Sequence, residues 1–288
     1  MEKKIKNPKD FVIVKNKKYF IQTQFQHYDS GRVRLRCLNL WDIGIKTLED
    51  IEGLKETNVQ SLMLNRNGLS DLEGISELTN LKKLQIGDNI KEIKGLDELT
   101  ELTHLMIVGE MSEIKGLSHL KSLTHLTLNG EISEIKELNG FTKFHSLDLS
   151  GNQISKIKGL DNLFNLWGLN LSGNKISEIR NLEKLKKLVY LYLYSNQITE
   201  IKGLETLTRL GLLHLGYNRI TEIKGLDNLR NLWSLQLDYN KIKKIRGLDT
   251  LEKLQEINLS NNQISDAKGI KILGKNTHID LKGNPCNS

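Results

Sequence analysis

The chain has 288 residues, 42 Lys and Arg against 35 Asp and Glu for a formal net charge of +7, and only two prolines and six phenylalanines. Its 38% hydrophobic content suffices for a folded protein, and no run approaches the roughly 18 apolar residues a membrane helix needs. Cys37 and Cys286 stand too far apart in an elongated fold for an internal disulfide, and Met1-Glu-Lys-Lys-Ile-Lys-Asn-Pro8 lacks the apolar core of an export signal, so a reducing, cytoplasmic address is expected, with no membrane partner.

The positive charge is concentrated at the start. Residues 1–18 hold seven lysines against Glu2 and Asp10, a local +5 out of +7. This is a basic arm rather than a basic protein, and a nucleic-acid-associated adaptor using that arm is the alternative it raises, with nucleic acid the less favoured partner. Phe11-Val-Ile-Val14 and Tyr19-Phe-Ile21 flank the polar Lys15-Asn16-Lys17-Lys18, which predicts a β-hairpin. With the arm it forms a cap over residues 1–34.

From Leu35 onward the sequence repeats. The clearest copy reads Leu188-x-x-Leu191-x-Leu193-x-x-Asn196-x-Ile198-x-x-Ile201-x-x-Leu204-x-x-Leu207, and it restarts at Leu210, Leu232 and Leu254. The same frame fits backwards from Leu166 and Phe144, then at a spacing of 21 from Leu123, Leu102 and Leu81, with further copies from Val59 and Leu35. Ile279-x-Leu281-x-x-Asn284 closes the series as a half-repeat, giving about twelve strands and a tail at 286–288.

In Leu-x-Leu the period of two sends both leucines to one face of a strand, and the later spacing of three belongs to tighter turns. One copy cannot bury its own apolar stripe, but stacked copies can: Leu191 should meet Leu169 and Leu213, and Ile201 should meet Ile179 and Ile223. At about 1.5–3 kcal/mol per buried aliphatic side chain, a coil repays its ordering only with neighbours on both sides.

This pattern resembles the leucine-rich-repeat family across about residues 35–285, and its 22-residue form is similar to eukaryotic phosphatase-regulator repeats and to the repeat region of bacterial internalins. The resemblance implies an α/β fold: a right-handed solenoid with a parallel sheet on its concave side and short 3₁₀-like turns on its convex side. It also implies a protein-interaction scaffold, and raises as the alternative a regulatory subunit whose protein partner is a phosphatase or a small GTPase. Surface adhesion of the internalin kind is disfavoured by the absence of an export signal or wall-anchoring tail.

Two regular columns invite functional readings that physical chemistry makes structural. An asparagine column (Asn67, Asn89, Asn152, Asn174, Asn196, Asn218, Asn240, Asn262, Asn284) is expected to turn inward and satisfy backbone groups where the chain leaves the sheet. Glu110 and Glu131 stand at that register in two short copies and predict an altered turn there. A Lys/Arg column from Lys94 to Lys268 runs beside an acidic column from Glu92 to Asp266, which predicts a charge-balanced convex face rather than a phosphate-binding stripe. The accompanying glycines read as turn residues.

The side chains that alternate with the buried leucines must face out of the sheet. They include Tyr190, Tyr192 and Tyr194, then Leu212, His214 and Gly216, then Ser234, Gln236 and Asp238. Flanking positions add Trp167, Tyr217, Trp233 and Tyr239. Tyrosine and tryptophan outside the cap and the first copy all fall between 167 and 239, and exposed aromatics are favoured interface residues. The expected partner-binding site is therefore Trp167, Tyr190, Tyr192, Tyr194, His214, Tyr217, Trp233, Asp238 and Tyr239. His104, Met106 and His125 form a smaller second patch, since two histidines without a third ligand make a poor metal site. No Cys–His pair, nucleophile elbow or phosphate loop occurs, so a non-enzymatic protein without cofactor or metal is expected.

Overall fold

The computed structural model describes residues 9–28, 31–87 and 89–287. The chain forms two compact units, one ending at Gly130 and one beginning at Glu131. The first three lysines of the basic arm lie outside the described residues.

The first unit opens with an antiparallel hairpin of β1 (Phe11–Val14) and β2 (Lys17–Phe20). Its turn is the two-residue Lys15–Asn16, both at positive φ, as a tight hairpin of matching twist requires. The second strand thus starts two residues earlier than the apolar pattern suggested, and Ile21 lies beyond it. Val12 and Val14 are buried, while Ile13 and Glu52 exchange backbone hydrogen bonds of 3.0 and 2.9 Å, so this hairpin lies against the first coil.

A second hairpin, β3 (Gln22–Tyr28) with β4 (Gly31–Asn39), was not anticipated from the polar sequence of β3. The later part of β4 is also the first repeat strand, pairing in parallel with β5 (Ser61–Met63), so the boundary expected at 34/35 falls inside one strand. The sheet continues in parallel through β6 (Lys83–Gly87), β7 (His104–Val108) and β8 (His125–Asn129).

The second unit is built from β9 (Ser146–Asp148), β10 (Gly168–Asn170), β11 (Tyr190–Tyr192), β12 (Leu212–His214), β13 (Ser234–Gln236), β14 (Glu256–Asn258) and β15 (His278–Asp280), all parallel neighbours in order. Leu169, Leu191 and Leu213 are in direct register and fully buried, as are Ile201 and Ile223 behind them. Opposite the sheet, each coil closes through successive i→i+3 backbone bonds, such as Leu185 N–H to Leu182 O (2.9 Å) and Leu188 N–H to Leu185 O (3.0 Å).

The asparagines knit successive coils together. Asn196 Oδ1 accepts the Ile176 N–H at 3.0 Å, while its Nδ2 donates to Leu171 O at 2.9 Å and to Leu193 O at 3.1 Å. The same pattern recurs at Asn174, Asn218, Asn240 and Asn262. Asn89 departs from the expectation: it is exposed, and Ile90 directly after it is buried. Its backbone N–H bonds Leu69 O, as Gln197 bonds Ile176 O, so Asn89 occupies the outward position that follows the inward amide. The 21-residue copies have deleted the amide position itself. Glu110, whose N–H bonds Ile90 O, stands at that same outward position. The altered turn lets β6, β7 and β8 run five residues against three in the strands of the second unit.

On the turn side the charged columns cancel as expected. Within the second unit Glu200 meets both Lys202 (2.7 Å) and Lys224 of the next coil (3.0 Å), and these two ammonium groups pull its carboxyl down to about 2. Arg246 reaches back to Glu222 at 2.6 Å. One column there favours glycine: Gly203 has φ +73, and a Cβ would stand 2.6 Å from Ile179 O. Where that column carries Asn181, also at positive φ, its side-chain amide donates to Ile157 O at 2.6 Å.

Candidate partner-binding face

The 22-residue copies leave the sheet through a residue in the left-handed region. In the second unit this column is Gly151, Gly173, Ser195, Tyr217, Tyr239, Asn261 and Gly283. Glycine and asparagine tolerate that backbone; tyrosine does not readily, because its Cβ crowds the neighbouring carbonyl. Tyr217 (φ 53) and Tyr239 (φ 51) nevertheless hold it on adjacent coils, and both are more than 40% exposed. The composition of this column was available in the sequence and would have flagged the two tyrosines as misfits.

Around that pair the aromatic cluster assembles as the register predicted. Tyr194 lies 5.0 Å from Tyr217 and 5.0 Å from His214, and Tyr192 packs edge-on to His214 at 6.4 Å. Tyr192, Tyr194 and His214 are half-buried by one another while their rings remain on the sheet's open face. Burial lowers the His214 imidazole below its usual value, against the opposing pull of Asp238 at 3.9 Å. Tyr239 beside the Tyr217 hydroxyl is the main cause that pushes the latter up to about 12.

Three expected site residues take other positions. Asp238 is not an open contact residue: it is buried, and its carboxylate fills the space over Gly216, where a Cβ would meet Asp238 Oδ1 at 2.5 Å. Trp233 folds down along the sheet margin, its indole covering Gly211. Trp167 stands edge-on to Tyr190 at 5.6 Å, and Tyr190 in turn is 6.5 Å from Trp233, so these three rings form a second group along one margin.

Sequence reasoning did not single out the cleft beside that group. Ser146, Gly168 and Tyr190 share one row, and Asp148, Asn170 and Tyr192 share the next. Gly168 contributes no side chain, which leaves a cleft of about 270 Å³ over β10, walled by Trp167, Tyr190 and Tyr192 and edged by Asp148.

In the first unit His104 and His125 stack with ring centroids 4.1 Å apart and planes within 7°, and their Nδ1 atoms lie 2.9 Å from the Thr103 and Thr124 hydroxyls. Met106 is half-buried beside them on β7. Among the described residues no group of three or more His, Cys, Asp or Glu is placed to hold a metal ion, and no helix is long and apolar enough to cross a membrane. The described arm lysines are engaged in the cap: Lys9 with Glu56, Lys15 with Ile43 O, Lys17 over Tyr19 and Lys18 over Phe11.

Stacked parallel coils, inward leucines and an asparagine ladder define a leucine-rich-repeat solenoid. The leucine-rich-repeat models match residues 165–206, as two copies, and 253–273. Among solved structures, an internalin (inlF) of Listeria monocytogenes is 26% identical with a TM-score of 0.70, over 87% of this chain and 81% of that one. A second Listeria monocytogenes internalin (inlC2) is 32% identical with a TM-score of 0.55, over 61% of this chain and 76% of that one. A leucine-rich-repeat protein of Leptospira interrogans is 28% identical with a TM-score of 0.63, over 81% and 69%. No curated protein matches by sequence. This chain belongs to the leucine-rich-repeat family, whose members generally act as protein-binding scaffolds.

Proposed function

We propose that this chain is a non-enzymatic scaffold that docks a globular protein on the open sheet face of its second unit, through Tyr192, Tyr194, His214, Tyr217 and Tyr239. The observation that carries this reading is the Tyr217–Tyr239 pair, two large exposed rings kept on a backbone that suits glycine. The stack between the two rings offsets that strain without exceeding it, so the tyrosines bring no net gain in folding, and a contact to a partner accounts for their being there. Tyrosine also brings large contact area with little rotamer entropy to lose, which suits a hot spot.

The test is capture of protein partners by the intact chain, followed by affinity measurement with Tyr192, His214 and Tyr217 replaced by serine. The reading requires at least a tenfold loss of affinity in a variant that still unfolds cooperatively well above the assay temperature. Equal affinity of the triple variant removes it.

A further inference from the structure

We propose that the cleft over Gly168 receives a cationic side chain, lysine or arginine, of a protein bound to this face. The proposal deepens the docking reading above and rests on it.

The walls are aromatic and the rim is acidic. Trp167 and Tyr190 meet edge-on at 5.6 Å, so their planes enclose a corner, and Tyr192 extends the wall along β11. Adjacent strands lie about 4.8 Å apart, so Ser146 and Tyr190, two strands from each other on either side of Gly168, stand about 10 Å apart at backbone level, with Asp148 at the edge in the next row. That gap admits an aliphatic stem with a charged head. Its floor is the β10 backbone at Gly168, without a side chain. Aromatic faces attract cations through their quadrupole, and attract them more strongly where water is excluded. A carboxylate at the rim supplies the counter-charge.

Charge complementarity selects the occupant. The chain as a whole is +7, yet the outward positions on and immediately after strands β9 to β14 carry Asp148, Asp238 and Glu256 and no Lys or Arg. An anionic side chain would meet the Asp148 carboxylate, and an aliphatic one would leave that carboxylate facing apolar surface.

The row positions supply variants that keep the fold. Asp148 Oδ1 accepts the Ser150 N–H at 2.9 Å, and Asn170 and Asn258 make the same bond at 3.0 Å in their coils, so Asp148→Asn keeps this turn bond while removing the charge and giving up the bond that Asp148 Oδ2 accepts from Asn170 Nδ2 at 3.0 Å. Leu212 occupies on β12 the place of Gly168 on β10, and a Cβ at Gly168 meets nothing closer than Ser146 Oγ at 3.6 Å, so Gly168→Leu fills the cleft without displacing backbone.

The experiment titrates the full chain with three blocked tripeptides, Gly-Lys-Gly, Gly-Arg-Gly and Gly-norleucine-Gly, while following the Trp167 indole N–H by NMR. A saturable shift with the lysine or arginine peptide is expected, with the norleucine peptide at least tenfold weaker. Binding should fall about three- to tenfold in Asp148→Asn, vanish in Gly168→Leu, and weaken as salt is raised. Equal binding of the norleucine peptide, binding undiminished by Gly168→Leu, or no Trp167 shift with either cationic peptide overturns the proposal. None of these outcomes bears on partner affinity in the Tyr192, His214 and Tyr217 variant, so the cleft can fail while the docking face stands.

Discussion

Tyr217 and Tyr239 stack face to face with ring centroids 4.0 Å apart and planes at 23°, from neighbouring coils that both turn through the left-handed region. Stacking of this kind contributes about 0.5–1.5 kcal/mol, comparable to the cost of placing a bulky L-residue in that backbone. Replacing Tyr217 by Asn, the residue that holds the same column at position 261, loses the first and relieves the second. Denaturant unfolding of Tyr217→Asn should therefore fall within about 1 kcal/mol of the parent, while partner affinity drops at least tenfold. A variant that unfolds several kcal/mol more easily would mark the pair as structural.

The same contact sets a spectroscopic signature. With its folded value pushed up to about 12 from an ordinary 10, the Tyr217 hydroxyl holds its proton more tightly in the fold than in the unfolded chain. Its contribution to stability is complete below pH 10 and is lost as pH rises through 12. Absorbance titration of phenolate should show a late-ionising tyrosine that disappears in Tyr217→Phe.

His214 shifts in the opposite sense. Burial is the larger effect and lowers its value; Asp238 pulls the other way without prevailing. Because the unfolded histidine binds a proton first, the stability tied to neutral His214 is present above pH 6.5 and is lost as pH falls through the lower folded value. NMR titration should find His214 below the usual imidazole range, and Asp238→Asn should lower it further. An upward shift in that variant would contradict the assignment of burial and charge to opposite signs.

The ladder can be probed by contrast. Asn196→Ala strands the Ile176 N–H and the Leu171 and Leu193 carbonyls away from water and should cost about 2–4 kcal/mol in chemical unfolding. Asn89→Ala, at an exposed position, should stay within about 0.5 kcal/mol.

Glycine divides in the same way. Gly203→Ala places a Cβ against Ile179 O on a positive-φ backbone and should cost about 1–3 kcal/mol, whereas Gly168→Ala should be near neutral. Gly203→Asn should be milder than Gly203→Ala, since Asn181 already holds that column with its amide on Ile157 O. Melting of the three variants side by side orders them.

Strand register was legible because every coil restates it: a single Leu-x-Leu is ambiguous, but Leu169, Leu191 and Leu213 at a constant interval fix which side is buried. The same redundancy located Tyr192, Tyr194 and His214 on the open face. What escaped were departures from the average. Asn89 matched the column by counting, yet a one-residue deletion is invisible to counting when the residue after it is also Asn. The polar strand Gln22–Tyr28 offered no apolar alternation to read. The cleft at Gly168 depends on a side chain that is missing between Ser146 and Tyr190, and Asp238 lies flat along the sheet face because Gly216 left room for it.

The asparagine contacts point one way along the chain. From Asn174 to Asn284 each amide accepts from and donates to the coil before its own, as Asn284 Oδ1 takes the Ile264 N–H and its Nδ2 reaches Leu259 O. A 22-residue winding is thus finished only by the arrival of its successor. During synthesis each winding waits for the next to emerge, and removing any winding reopens the one before it.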